Sequence, residues 1–270
     1  MVEVKTKYKM GIRRFGLINW IGALTLYKKE VLRFLIVWIQ TIFSPLVTTL
    51  LFLSVLFLAI GNNRDDILGT TFINFLAPGL IAMQIIQQSF SHSSSTFMIG
   101  KIQGNIVDIL YAPLSAAEVT MAVTLSAITR SLLIMFISII VISLFIDIKI
   151  QSYTLLLIFS FLSSFILASI GIIAGLWAEK FDHMATVTNF IIVPLSFLSG
   201  TFYSISKLPE ILQTVSQMNP FFYMIDGFRY SFIGQSDGSI SVGIFYLTFL
   251  SILTWFISYY LYKKGYKIKS

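Results

Sequence analysis

The chain has 270 residues, 56% of them hydrophobic and only 11% charged, with a formal net charge of +7. Soluble domains are about 25% charged, so this composition excludes an ordinary soluble protein, and continuous apolar runs far longer than a barrel strand indicate an all-α membrane protein. The absence of cysteine excludes a disulfide framework, a thiolate metal site and a cysteine nucleophile.

The basic residues gather at the two ends. Lys5, Lys7, Lys9, Arg13, Arg14, Lys28, Lys29 and Arg33 precede the first apolar run, and Lys263, Lys264, Lys267 and Lys269 follow the last. Positive flanks mark the cytoplasmic side of a membrane, so both termini are predicted to be cytoplasmic and the number of crossings even. That location reads as orientation, not as nucleic-acid binding. Residues 1–33 form a cytoplasmic N-terminal segment. Within it, FGLINWIGALTLYKKEVLRF is too interrupted by charge to span, yet carries Trp20 and Tyr27 beside Leu17, Ile21, Leu24 and Val31. An interfacial helix is predicted there, with Lys28, Lys29 and Arg33 near anionic headgroups; a cytosolic arm joined to the first span is the alternative. No small-residue cleavage pattern follows the first apolar run, so no signal peptide is expected to be removed.

Residues 34–262 then read as a transmembrane domain. No charged residue stands between Arg33 and Arg64, between Asp66 and Lys101, from Gln151 to Ala178, from Met184 to Ser206, or from Gly238 to Tyr262. The stretch between Glu118 and Asp147 contains one, Arg130. A bilayer core about 30 Å thick needs roughly 20 apolar residues per helix, so six spans are predicted, in agreement with the even parity. Predicted outer segments hold Arg64, Asp65, Asp66, Asp147, Lys149, Lys207, Glu210, Asp226, Arg229 and Asp237, a mildly acidic set, while inner loops hold Lys101 and Lys180.

Span 2 places Gln84, Gln88, Ser91 and Ser95 at spacings of four, three and four, one helical face. Such a stripe lines a wet path or makes interhelical hydrogen bonds. Between spans 2 and 3 lies GKIQGNIVDILYAPLS, bracketed by Gly100, Gly104 and Pro113, which predicts a short helix resting on the cytoplasmic surface. In span 3, an arginine at the helix centre costs roughly 2.5–3.5 kcal/mol or more. Arg130 must therefore face protein, water or a headgroup, either in substrate contact or gating or in a structural bond to a neighbouring helix. Span 4 carries a small-residue track, Ser160, Ser164, Ala168, Gly171 and Gly175, that permits close packing. Span 5 holds Asn189, Pro194, Ser196, Ser199 and Gly200, and its proline predicts a kink or hinge.

The outer segment 204–237 contains two amphipathic pieces, LPEILQTVSQM and NPFFYMIDGFRYSFIG, the second opened by Asn219 as N-cap and Pro220. Neither is long enough to cross, so they predict a re-entrant or interfacial helical hairpin in which Asp226 and Arg229, three apart, partly neutralise each other. Span 6 and a basic tail, residues 263–270, close the chain.

Chemistry finds little support. His92 and His183 make no metal site without further ligands, and in Ser91-His92-Ser93 adjacent helical residues do not face each other. No G-x-x-x-x-G-K-[ST] loop exists, so ATP is not bound in that way. Ion-coupled carriers place ionisable groups at mid-membrane, and the carboxylates here were placed only at span ends and loops. An ion-coupled secondary transporter acting without an ATPase is the alternative to a driven one.

The layout and two local segments resemble the ABC-2 type permeases, the membrane subunits of bacterial ATP-driven exporters. IQGNIVDILYAPLSAAE resembles the family's coupling region, and PLSFLSGTFYSISKLPEILQTVSQMNPFFYMIDGFRYSFIG its fifth span and outer hairpin. The likeness is to the group exporting drugs, polysaccharides and nodulation factors. It implies a homodimer in the inner membrane bound to two copies of a separate ATPase that carries ATP and Mg, with no cofactor on this chain and no nucleic-acid partner. By position it implies a coupling helix at about Ile99–Tyr111, with Gly104, Asn105, Asp108 and Tyr111 toward the ATPase, and a translocation path near Gln84, Gln88, Asn189 and Ser196.

Overall fold

The computed structural model describes residues 18–60 and 67–268. The charges read above at Lys5 to Arg14, at Arg64 to Asp66 and at Lys269 lie outside the described residues. The described chain is helical, and its only strand-like pairing is an isolated bridge between Ile67 and Thr70.

Helix α1, Trp20–Ile36, starts at Asn19, whose side chain accepts a hydrogen bond from the Gly22 N–H at 2.9 Å. It buries Leu26, Glu30 and Phe34, one face at four-residue spacing, and leaves Trp20, Ile21 and Leu24 exposed. Trp20, Ile21 and Leu24, among the residues that suggested an interfacial helix, therefore point away from the bundle, while Tyr27 bonds to Thr129 at 2.8 Å and a carboxylate points into the bundle. After a break at Val37, a wide π-helical turn at Ile39–Phe43 leads into α2, Ser44–Ile60. Then follow α3, Phe72–Ile102; α4, Ile106–Tyr111; α5, Ala116–Ser143; and α6, Tyr153–Trp177. A continuous helical run comprises α7, Phe181–Val187, a second π turn at Thr188–Ile192, and α8, Val193–Leu198. The outer pieces are α9, Glu210–Met218, and α10, Pro220–Ile233, before α11, Ile240–Lys263.

Among the described residues, five stretches are long and apolar enough to cross a membrane: Ile39–Ala59, α5, α6, Phe181–Leu198 and α11. The predicted second span is not among them. At 31 residues and about 1.5 Å per residue, α3 is ample in length, but Gln84, Gln87, Gln88, His92 and a run of serines dilute its hydropathy. This polar helix is nonetheless the centre of the bundle, packed chiefly on α6 and then on α5, α10 and α2. The α3–α6 pair is close because the small-residue track lies in it. A Cβ on Gly171 would stand 2.6 Å from the Phe90 carbonyl oxygen, and one on Gly175 2.5 Å from that of Ser94. Ser164 and Ser131 join α6 to α5 through a 2.7 Å hydroxyl bond.

Both π turns end two residues before a proline, Pro45 and Pro194. A proline ring crowds the carbonyl four residues earlier and supplies no N–H, and a widened turn absorbs that conflict. The proline effect read in span 5 thus occurs, and occurs again in span 1.

The two outer pieces part company. Helix α9 buries no residue and exposes Ile211, Val215 and Met218, whereas α10 is packed into the core against α3 and α6. Asn219 caps α10 by accepting from the Phe221 N–H at 3.1 Å. Asp226 and Arg229 do not form the ion pair their spacing suggests; each is satisfied by main chain. Arg229 stacks on Phe75, 3.8 Å from its ring centroid, and donates to the carbonyls of Phe75, Gly200 and Thr201 at 3.2, 2.7 and 3.2 Å. Asp226 accepts from the N–H groups of Asp237 and Gly238 at 3.0 Å each.

Candidate functional site

A polar cavity of about 480 Å³ lies between the α1–α2 junction, α3 and α5. Two stripes form its walls. On α3 stand Gln84, Gln88, Ser91 and Ser95, the face read from the sequence; opposite stand Gln40, Ser44 and Thr48, spaced by four along the first π turn and α2. These last three are exposed, so the cavity is open on the α2 side.

Arg130 closes the deep end. It is 8% exposed and donates from Nη2 to the Gln88 side-chain oxygen at 2.5 Å. Its Nε has no hydrogen-bond partner, nor does Nε2 of Gln87, which also lines the cavity. No carboxylate lies within 4.0 Å of Arg130 among the described residues. The bond to a side-chain amide of the neighbouring helix ties α5 to the α3 stripe.

The other end is floored by an ionic cluster that the sequence reading missed. Glu30 of α1 is 1% exposed. Arg33 donates from Nε to Glu30 at 2.9 Å and from Nη2 to the Thr96 hydroxyl at 2.6 Å and the His92 carbonyl at 3.2 Å. Thr96 in turn donates to Glu30 at 2.9 Å, and Arg33 Nη1 reaches Ser95 at 3.2 Å. His92 turns away from its serine neighbours, its Nε2 bonded to Ser126 of α5 at 2.9 Å. A carboxylate among lysines on a basic segment reads as solvated, and only its four-residue spacing from Leu26 and Phe34 hinted otherwise. With Glu30 matched to Arg33, the cavity keeps one unmatched positive charge, Arg130.

The remaining path candidates stand elsewhere. Asn189 is exposed on the second π turn, and Ser196 is buried with its hydroxyl donating to the Ile192 carbonyl of its own helix at 2.6 Å. Neither lines this cavity.

The coupling candidates form a second, exposed patch. The helix is shorter than the Ile99–Tyr111 expected: α3 runs on to Ile102, and Gly104, at φ +77°, makes the turn into α4. Ile106 and Ile109 anchor α4 in a small core with Leu26 of α1, Phe97 of α3 and Tyr262 of α11. Asn105, Asp108 and Tyr111 face outward, Tyr111 86% exposed. Helix α1 is fastened nearby, for Asn19 donates from its N–H to Glu118 at 2.6 Å and from its side chain to the Pro113 carbonyl at 3.1 Å. One rigid cluster thus joins the exposed α4 to the helix bearing Glu30 and Arg33. Glu118 also accepts from the Ser115 N–H at 2.6 Å, a capping box legible as Ser-x-x-Glu.

A family model described as "ABC-2 type transporter" matches residues 22–233. The chain is similar to "Inner membrane transport permease YadH" of Escherichia coli (strain K12), 28% identical over 253 residues covering 94% of this chain and 99% of the relative. It is similar also to "Nodulation protein J" of Neorhizobium galegae, 22% identical over 247 residues covering 90% and 92%. The protein of that name from Rhizobium meliloti (strain 1021) is 23% identical over 242 residues, covering 89% and 91%.

Proposed function

The chain belongs to the ABC-2 type transporter family, and from that premise we propose that two copies form the translocation path of an inner-membrane exporter, driven by a separate ATPase in two copies. Six helical segments cross the membrane, the five apolar stretches and α3, and both termini lie on the cytoplasmic side, as the basic ends require. Helix α9 lies in the outer interface and α10 re-enters beside it.

One observation carries this reading: a polar cavity, open at the side, reaches from the α1 junction to Arg130 inside an otherwise apolar bundle. Such a cleft takes the polar part of an amphipathic, hydrophobic or lipid-linked cargo and leaves its apolar part toward lipid or the second copy. ATP and Mg are bound by the partner, which docks beneath α4 through Gly104, Asn105, Asp108 and Tyr111. Movement of α4 travels through Ile106, Ile109 and Leu26 to α1, and so to Glu30 and Arg33 at the cavity floor.

The buried Glu30 beside His92, 4.0 Å apart, favours the ion-coupled alternative, since buried titratable groups serve such carriers. Arg33 lies closer to that carboxylate, at 2.9 Å, which suits a fixed ion pair better than a proton site. Reconstitution with a candidate partner ATPase separates the two readings. Hydrolysis and export that require both chains support the proposal. Hydrolysis by the purified permease alone, or transport that survives without ATP and collapses with the ion gradient, refutes it.

A further inference from the structure

We infer that the cavity between α2, α3 and α5 binds the anionic group, a phosphate or a carboxylate, of an amphipathic cargo, with Arg130 as its counter-charge. The inference rests on the exporter reading and narrows its substrate class.

Three observations carry it. The first is charge balance, for Glu30 is already held by Arg33 and Thr96, which leaves Arg130 as an uncompensated buried cation. An unpaired charge is costly at that depth, and a ligand of opposite sign removes the cost. The second is the donor inventory. Arg130 makes one hydrogen bond, to Gln88. Its Nε and the Nε2 of Gln87 are donors without partners on residues lining the same cavity, covered by neighbouring atoms and brought to a ligand by a turn of the side chain. Both can only donate, so the complementary group is an acceptor, and the surplus charge makes it an anion. Guanidinium donors match the paired oxygens of phosphate and carboxylate. The third is shape. About 480 Å³ accommodates a headgroup with some water, at roughly 30 Å³ per water. The open side beneath Gln40, Ser44 and Thr48 adjoins the exposed apolar flank of α2, with Leu51 60% and Val55 61% exposed, where an acyl or prenyl chain would lie. A neutral sugar headgroup alone would leave the arginine charge unanswered.

The test uses the full chain in phosphatidylcholine nanodiscs, titrated with dodecyl phosphate, dodecyl maltoside and inorganic phosphate. Dodecyl phosphate is expected to bind and to raise the unfolding temperature, and dodecyl maltoside, with the same chain and no charge, to do so far more weakly. Arg130→Gln should weaken dodecyl phosphate binding by about 10-fold or more, and Arg130→Lys should keep much of it because the charge remains. Gln87→Leu, a milder change, should lose several-fold and stands in if the Arg130 variants do not fold. Equal binding of the two detergents, or unchanged affinity in Arg130→Gln and Gln87→Leu, overturns the inference. Protection by inorganic phosphate equal to that by dodecyl phosphate assigns the site to a free oxyanion and overturns the amphiphile. These arms need no ATPase, so failure of ATP coupling with anion binding intact strikes the exporter reading, and the reverse strikes only this inference.

Discussion

Adding one methyl group at the α3–α6 contact tests how the bundle is held together. A Cβ at residue 171 would lie 2.1 Å from the Ser93 hydroxyl, 2.6 Å from the Phe90 carbonyl oxygen and 3.2 Å from the Ser94 nitrogen. The serine can rotate, but the carbonyl cannot, so the helices must separate by about 0.8 Å to restore an ordinary 3.4 Å contact. A gap of that size forfeits a quarter to a half of the dispersion energy of the neighbouring contacts, and overpacking of this kind costs about 1–3 kcal/mol. Against it stands the helix propensity gained when glycine becomes alanine, about 1 kcal/mol. An approach of 2.6 Å to a fixed carbonyl puts the cost in the upper part of that range, about 2–3 kcal/mol, so packing wins and Gly171→Ala is expected to lose roughly 1–2 kcal/mol net, an unfolding temperature lower by about 2–8 °C. Gly100→Ala is the control. Near the end of α3, its Cβ would have Ile106 of α4 as nearest neighbour, at an ordinary 3.6–3.7 Å, so propensity acts unopposed and the variant should hold or gain about 0.5–1 kcal/mol. Thermal unfolding of both variants in one detergent, followed by far-UV circular dichroism, decides the matter. If Gly171→Ala proves as stable as the parent, or if the two shift alike, the α3–α6 contact is not the close one described.

Two further outcomes follow from named contacts. Arg229→Gln strips donors from three buried carbonyls, and at about 1–3 kcal/mol per group left unpaired the loss should be about 3 kcal/mol or more; the folded fraction on gel filtration reports it, and rescue by Arg229→Lys should be poor because an ammonium lacks the planar fork. The Glu179 carboxyl is held below its usual range by the hydrogen bond from Lys267, beyond the end of α11, and then by its charge. A depressed folded value adds stability above the unfolded value that is lost as pH falls through the folded one, so the tail should loosen on acidification below the ordinary carboxylate range. A spin label on Tyr266→Cys, the lone cysteine, would register this, and in Lys267→Met the label should be mobile at neutral pH already.

What the sequence disclosed depended on whether a signal was local. The small-residue track and the Asn219–Pro220 start each depend on neighbours along one helix, and each stands in the structure where it was read. Of the six predicted spans, five are long and apolar enough among the described residues, and the polar α3 is the exception. The Gln84 stripe was equally plain, but its opposite wall was not, because Gln40, Ser44 and Thr48 gain meaning only once α2 packs beside α3. Glu30 was hidden by its lysine neighbours, since periodicity on a basic helix does not say which side meets protein. Asp226 and Arg229 do attract each other, as their spacing suggested, but their hydrogen bonds go elsewhere. Their spacing permits a pair, yet the open carbonyls at Gly200 and Thr201 and the N–H groups at Asp237 and Gly238 lie nearer to each.

The polarity of α3 bears on how such a protein enters a bilayer. A segment carrying three glutamines, a histidine and a run of serines partitions poorly alone, and a segment with an arginine at its centre costs more still. The Gln88–Arg130 bond and the His92–Ser126 bond set the polar groups of one segment against those of the next but one. Insertion of the third helix and of the fifth are therefore interdependent, and neither is expected to settle across the membrane during synthesis until its partner has arrived.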